Sequence, residues 1–296
     1  MELALLIDDL NFFNGNLIEN YQWQWGTESN GISQSIILLK EFVPNKAISY
    51  LYYGNEFCEY RIPSISDLKS FFTICISNDL NPVLVTPPVS DLGLEKIKHL
   101  IDYVIEYNIK ISIVINDLGA MELINETNSD IKIIIGRVLD KISHDSRASI
   151  SDFQKYYGLN GMKYAQTPGI ISNYSREVLE RYNVERWEFD MPKIGITLPS
   201  EINASLYYPY TYLTTGRVCS IRASQLQGRN MYLVGTSNCN QKCASIQIQK
   251  RKPLYDADSD TQESFLFQKG NTLFYLNNGI GIENYDILFD RIILQI

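Results

Sequence analysis

The sequence predicts an α/β chain folded as a (β/α)8 TIM-like barrel with a C-terminal cysteine-bearing loop and a β-hairpin extension. Three observations predict it. Short continuous apolar runs alternate with segments of helical period from the first residues onward, the pattern of parallel strands covered on both faces. About eight strand candidates fall between Leu3 and Tyr208, the complement of one barrel. No strand is followed by the G-x-G-x-x-G loop of a dinucleotide site, which leaves a doubly wound sheet as the runner-up.

In chain order, LALLID is a short apolar run ending in Asp8 and Asp9, a first strand. A polar, aromatic loop (NFFNGNLIENYQWQWGTE) leads to SNGISQSIILLKEFV, whose spacing is helical with Ser or Asn as its cap. AISYLYYG is a buried strand closed by glycine, SISDLKSFFTICISND a helix, and PVLVTPP a strand stopped by a proline pair. SDLGLEKIKHLIDYVIEYN has the clearest helical period, with Leu94, Ile97, Ile101, Val104 and Ile105 on one stripe. ISIVIND, LGAMELINE and IKIIIGR continue as strand, helix and strand. Asp140 to Gly169 is less regular, with a helical SISDFQKYYG and a loop MKYAQTPG. SNYSREVLERYN is helical; RWEFDMP and ASLYYPY are counted as the seventh and eighth strands. Residues 1–212 therefore form the barrel. Residues 213–296 complete the same domain: loop residues dominate up to Cys243, then ASIQIQKRKPLYDADS, ESFLFQKGNTLFYLNN and YDILFDRIILQI read as short strands joined by Gly/Asn turns.

Composition narrows the partners. With 45% hydrophobic and 20% charged residues, the 296-residue chain has the composition of a soluble globular protein. A formal charge of −8 argues against nucleic acid, and Lys250-Arg251-Lys252 is a solvated hairpin face. No apolar run reaches membrane-helix length, and MELALLIDDL lacks the basic start of a signal peptide, so a cytoplasmic protein with reduced thiols is expected. His99 and His144 are read as ordinary surface or boundary residues, which leaves no Ser-His-Asp arrangement and no histidine-rich zinc site.

The chemistry is concentrated in cysteine. Cys58 follows the second strand in ISYLYYGNEFCEYR, and Cys219, Cys239 and Cys243 follow as C-x19-C-x3-C; Cys75, in FFTICI, reads as packing. In a barrel the loops after strands two and eight open on the face where active sites are built, so the four thiols can converge there. The spacing has neither the C-x-x-C knuckle of a zinc ribbon nor the third close cysteine of a compact ferredoxin run. An iron–sulfur cluster, zinc and unliganded cysteines all remain open at this point. Asn116 and Asp117 close the fourth strand, and Glu188 and Asp190 close RWEF, where barrel catalysts lie. Asp117 is equally placed to cap the next helix. Asp8 and Asp9 can charge the same mouth. Arg217, two residues before Cys219, can stabilise an anionic centre, anchor a carboxylate or cap a loop. Tyr52, Tyr53, Tyr207, Tyr208, Tyr210 and Tyr212 read mainly as barrel packing.

Three segments resemble one family. LYYGNEFCEYR looks like the strand-then-Cys segment of peptidase family U-32 and its non-peptidase relatives. INDLGAMELI is similar to that family's Asn-Asp-Leu-Gly motif, and YYPYTYLTTGRVC with the following C-x3-C resembles the segment of its cluster-binding members. The likeness runs from Leu51 onward and is nearest the short UbiU/UbiV-type members; the first fifty residues depart from it. It implies a partly TIM-like barrel holding a [4Fe–4S] cluster on Cys58, Cys219, Cys239 and Cys243. It also implies a small-molecule substrate modified without O2, such as by hydroxylation, and pairing with a second family member. A collagenase-like peptidase is the alternative, although Tyr208-Pro209-Tyr210 stands where those enzymes carry a histidine segment. A non-catalytic scaffold stabilised by a metal is the other. Asp117, Asn116, Asp190 and Arg217 are the candidate catalytic residues.

Overall fold

The computed structural model describes residues 1–10, 48–127, 130–144, 150–226, 228, 239–244, 247–250, 266–276 and 288–295. The helix expected over 29–43, the loop before it, and Arg251 and Lys252 lie outside these residues. The first strands are β1 (Glu2–Ile7) and β2 (Tyr50–Gly54), then helix α1 (Ile65–Ser77) and β3 (Asn81–Val85). Helix α2 (Asp91–Glu106), β4 (Ser112–Ile115), α3 (Leu118–Glu126) and β5 (Lys132–Ile135) continue the alternation. After α4 (Ile150–Gln166) and α5 (Asn173–Leu179) come β6 (Val184–Phe189) and β7 (Ala204–Tyr208). The remainder is β8 (Tyr210–Thr215), α6 (Ser220–Ala223), β9 (Gln247–Lys250), β10 (Leu266–Lys269), β11 (Thr272–Leu276) and β12 (Arg291–Gln295).

Eight parallel strands close a barrel, in the ring order β1, β2, β3, β4, β5, β6, β7, β12. The predicted α/β barrel is the observed one, with one change of membership. Trp187 and Phe189 belong to the sixth strand and Ala204–Tyr208 is the seventh; the eighth is the C-terminal strand, where Arg291 aligns with Glu2 of β1 and with Ser205 of β7. A buried parallel strand and a hairpin strand have the same short apolar pattern, so period alone placed RIILQ in the extension. The barrel is therefore closed by residues beyond 212.

Alternate residues of each strand point inward. Ala4, Tyr52, Val83, Val85, Val114, Ile134, Tyr207 and Ile293 fill the interior. A larger apolar shell that includes Leu5, Leu51, Phe71, Ile97, Ile101, Ile113 and Ile133 joins strands to helices. The helices start where their capping residues put them. Ser64 and Asp67 form a reciprocal capping box on α1, and Ser90 and Asp117 cap α2 and α3. On α2 the buried stripe is Gly93, Ile97, Leu100, Ile101 and Val104, with Ile105 exposed, a small rotation from the expected face. The expected loop MKYAQ is helical: α4 runs through it with a break at Gly158, whose φ is 66°. At Pro209 the chain leaves the barrel and enters a second, antiparallel sheet in the order β8, β11, β10, β9, so a segment expected as loop supplies a strand.

Candidate functional site

This second sheet lies over the C-terminal mouth of the barrel, and its β10–β11 turn organises the cysteines. Asn271 donates one amide bond to Phe57 O at 2.6 Å, beside Cys58, and another to Gly216 O at 2.7 Å, three residues before Cys219. Gln268 Nε2 donates to Ser220 Oγ at 2.7 Å, next to Cys219. Gly270, at φ +61°, lies against Cys243, since a Cβ placed there would be 3.7 Å from its Sγ. Gln241 Nε2 reaches Tyr60 O at 2.8 Å and ties the C-x3-C loop to the Cys58 loop. Asn55 Oδ1 accepts from the backbone N–H groups of Phe57 and Cys58, fixing that loop at the end of β2.

Three distant segments thus deliver Cys58, Cys219, Cys239 and Cys243 to one place. Cys58 is half-buried, and burial, reinforced by the neighbouring thiols of Cys243, Cys219 and Cys239, pushes it up to about 12. Burial also raises Cys243; Cys219 and Cys239 push the same way, while Arg61 and Lys269 oppose them. The sulfurs are close enough to feel one another. Yet among the described residues no three His, Cys, Asp or Glu side chains are grouped to hold a single metal ion. A tetrahedral thiolate zinc site, with bonds of about 2.3 Å, would need sulfurs roughly 3.8 Å apart. Cys75 stands apart, buried in the α1 contact with the barrel.

Below the thiols a cavity of about 50 Å³ is lined by Asp8, Glu56, Cys58, Cys243, Lys269 and Asn271 among others. Its floor is Arg137, a residue the sequence reading passed over. The guanidinium is fully buried, and all five of its N–H bonds are used. Nε donates to Glu56 Oε1 at 2.9 Å; Nη1 donates to Asp190 Oδ1 at 2.6 Å and to Tyr210 O at 3.2 Å. Nη2 donates to Glu56 Oε2 at 2.6 Å and Gln295 Oε1 at 2.8 Å. Tyr207 lies flat beneath, its ring centroid 3.9 Å away. The only signal for this hub was a charged residue directly after an apolar strand, in GR of IKIIIGR.

One level deeper, Glu188 accepts from Tyr207 Oη at 2.6 Å, and its other oxygen has no hydrogen-bond partner among the described residues. Burial pushes this carboxyl up to about 7. Asp190, also driven first by burial and held down by Arg137, is pushed up to about 6. A larger hollow of about 740 Å³ opens at the opposite end, around Glu2, Tyr50, Arg186 and Arg291. Its arginines are paired, Arg186 with Asp290 and Arg291 with Glu2 at 2.7 Å, and that end of a barrel serves stability.

The four expected catalytic residues fall into structural positions. Asn116 donates to Thr86 O at 2.9 Å and accepts from Val138 N at 3.1 Å, linking the ends of β3, β4 and β5. Asp117 caps α3, accepting from Gly119 N at 2.8 Å and Ala120 N at 3.4 Å, and also accepts from Val89 N. Asp190 serves Arg137 and Tyr212 N. Arg217 is half exposed and pairs with Glu59 at 3.5 Å, while Glu59 accepts from Ser90 N and Oγ at the start of α2. His99 is exposed on α2, as expected, but His144 is not a surface residue. It is 6% exposed, its Nε2 3.4 Å from Asp140 Oδ2 and its ring edge-on to Tyr212 at 4.3 Å. Burial lowers its pKa, but Asp140, Asp190 and the Tyr212 backbone outweigh burial and raise it. Neither histidine lines the cavity. Of the tyrosines, Tyr52, Tyr53, Tyr207 and Tyr208 are buried in the barrel, and Tyr210 is buried on β8 of the second sheet.

No protein-family model matches the chain, and no curated protein matches it. Among solved structures, the spore cortex-lytic enzyme SleL of Bacillus megaterium QM B1551 is similar at 10% identity and a TM-score of 0.32, covering 99% of this chain and 70% of that one. A likeness that weak carries no argument about chemistry. Among the described residues no helix is long and apolar enough to cross a membrane.

Proposed function

We propose that this chain is an iron–sulfur protein in which Cys58, Cys219, Cys239 and Cys243 hold a [4Fe–4S] cluster, working in the oxygen-independent modification, such as hydroxylation, of a small molecule. One observation carries the reading: a single hairpin turn ties together the three segments that bear the four cysteines, with Cys58 and Cys243 each within electrostatic reach of the other three. The donor set suits the group. It is all thiol, the ligand type of [4Fe–4S] clusters. When bound, the cluster would supply one-electron transfer at a potential set by burial and nearby hydrogen bonds. The chain's own residues shape the small cavity beside it, with Arg137 as a rigid floor and Phe57 and Phe274 as apolar wall. A cytoplasmic setting, which keeps thiols reduced, belongs to the same proposal, and pairing with a second, unlike family member is carried by the U-32 resemblance.

Anaerobic purification with iron and sulfide assays and an absorption spectrum tests it. About four irons per chain are expected, lost in Cys58→Ser and Cys239→Ser and kept in Cys75→Ser, whose thiol lies in the core. A colourless protein, or one carrying zinc, overturns the reading. A second reading has one observation in its favour. Asn116, Asp117, Asp190 and Arg137 are all engaged by other protein groups, as in a scaffold whose metal only holds the mouth together. A Cys239→Ser chain that stays folded and paired yet loses turnover would reject the scaffold.

A further inference from the structure

The loop that follows β5 carries a buried ion pair. Asp140 closes the short turn Arg137–Leu139 and is 1% exposed; His144, four residues on, is 6% exposed. His144 Nε2 stands 3.4 Å from Asp140 Oδ2, and neither atom has a hydrogen bond among the described residues. Asp140 is held from its other side: Oδ1 accepts from Ile142 N at 3.0 Å, and its backbone carbonyl accepts from Ile170 N at 3.3 Å. Between the pair, Lys141 has a left-handed φ of 56°, which residues with a long side chain rarely adopt. The turn that returns the imidazole to the carboxylate is therefore a strained one.

The same imidazole touches the second sheet. Its ring meets Tyr212 of β8 edge-on at 4.3 Å, and the Tyr212 backbone bonds it in favour of the charged form. Tyr212 in turn joins the sheet to the barrel. Its Oη donates to Arg137 O at 3.2 Å, its N–H to Asp190 Oδ2 at 3.3 Å, and its ring lies 5.4 Å from Phe57, which lines the mouth cavity. Within the sheet it pairs with Phe274 at a register shift, so regular strand pairing holds this corner less firmly. The charged groups facing His144 are Asp140, from its own loop, and Asp190, at the end of β6. Asp190 is answered by Arg137, which Glu56 also holds; among the described ion pairs Asp140 has His144 as its cation. An imidazolium donates from both ring nitrogens and a neutral imidazole from one. Losing the proton therefore removes one contact and leaves a buried carboxylate without its counter-charge.

We propose that His144 is a proton-operated latch between the barrel and the second sheet: charged, it pins β8 at Tyr212 over the mouth, and neutral, it lets that corner lift from Phe57. Burial works against the charge, but Asp140, Asp190 and the Tyr212 backbone outweigh it, so the folded chain holds this proton more tightly than the unfolded one. The latch is complete below the ordinary value of 6.5 and is lost as pH rises through the higher folded value. Asp190 acts in the opposite sense, since the charge it gains with rising pH strengthens its bond to Tyr212 N. Loosening of β8 on the alkaline side is thus the signature of His144. The inference stands apart from the iron–sulfur reading.

The experiment is amide hydrogen exchange on the full chain from about pH 5.5 to 9, with rates corrected for the intrinsic effect of pH. It is run beside an NMR titration of the two imidazoles, which His99→Gln assigns. Protection at Tyr212, Leu213 and Thr214 is expected to fall about tenfold as His144 loses its proton, the size of one charge-assisted hydrogen bond, while Ile113 and Val114 of β4 keep theirs. His144→Gln should show no such step, and Asp140→Asn should move the step to lower pH. A parent without the step, a step that persists in His144→Gln, or one that comes while His144 is still charged overturns the inference. Should His144→Gln not fold, Asp140→Asn decides alone, and a step left at the parent's pH refutes the latch.

Discussion

Replacing Arg137 with methionine tests the claim that the barrel mouth is held by one buried guanidinium. Methionine keeps much of the stem and removes the charge. Glu56, 3% exposed, and Asp190, fully buried, would then face each other without a cation. Breaking a buried pair by removing one partner typically costs about 3–5 kcal/mol, because the remaining charge is left uncompensated. Five hydrogen bonds are lost here, which puts the expectation at the upper part of that range. One effect offsets it: Asp190 is already pushed up to about 6 with Arg137 present, so without the arginine it takes up a proton near neutrality. The loss should therefore be about 3–5 kcal/mol at pH 7 and smaller at pH 5. At roughly 2–4 °C per kcal/mol, that is a fall in Tm of about 6–20 °C. Urea unfolding followed by tryptophan fluorescence and circular dichroism measures it. The triple change Arg137→Met, Glu56→Gln, Asp190→Asn should recover much of the loss, since removing a whole buried charge set is often near neutral. A single-variant loss below about 1 kcal/mol, or a triple variant no better than the single, would refute the reasoning.

Glu188, ordinarily near 4.5 and held at about 7 by burial, binds a proton in the folded state that the unfolded chain releases between those values. Its contribution therefore declines as pH rises from about 4.5 to 7, by about 3 kcal/mol in all at 1.36 kcal/mol per pH unit. Tm against pH for the parent and Glu188→Gln should diverge over that window, and parallel curves would reject it. Asn271→Ala removes both amide bonds to the Cys58 and Cys219 loops, so reconstituted iron content should fall by half or more while the barrel's circular dichroism holds; unchanged iron counts against the hairpin as organiser. Asp117→Ala removes the α3 cap and should cost about 1 kcal/mol in denaturant unfolding without changing iron content. A loss of activity with full stability would instead return Asp117 to the list of catalysts.

Much of the fold could be read from local pattern. Apolar runs such as KIII and the stripe on Asp91–Glu106 announce their elements because burial on one face or two imposes a period on neighbouring residues. The cap at Asp117 is local in the same way, acting on N–H groups two and three residues away. Cys58, Cys219, Cys239 and Cys243 stand out in the sequence by residue type, spacing and a family resemblance, and Asp117 as a residue placed either to cap a helix or to act in catalysis; the structure shows the cap.

The rest was decided at long range. That RIILQ closes the barrel between β1 and β7, while LFQK and TLFYL pair in another sheet, depends on which strand edges are left unpaired once seven strands have curled. Arg137 is a hub because Glu56, Asp190 and Gln295 arrive from three other strands' ends, up to 158 residues away. His144, polar neighbours notwithstanding, is buried because Tyr212 folds over it. The sequence by itself determined the period of each element, its caps and the supply of four thiols. Which side chains meet at the mouth was settled only by closure of the ring, since charge pairing and burial act through space and leave no period along the chain.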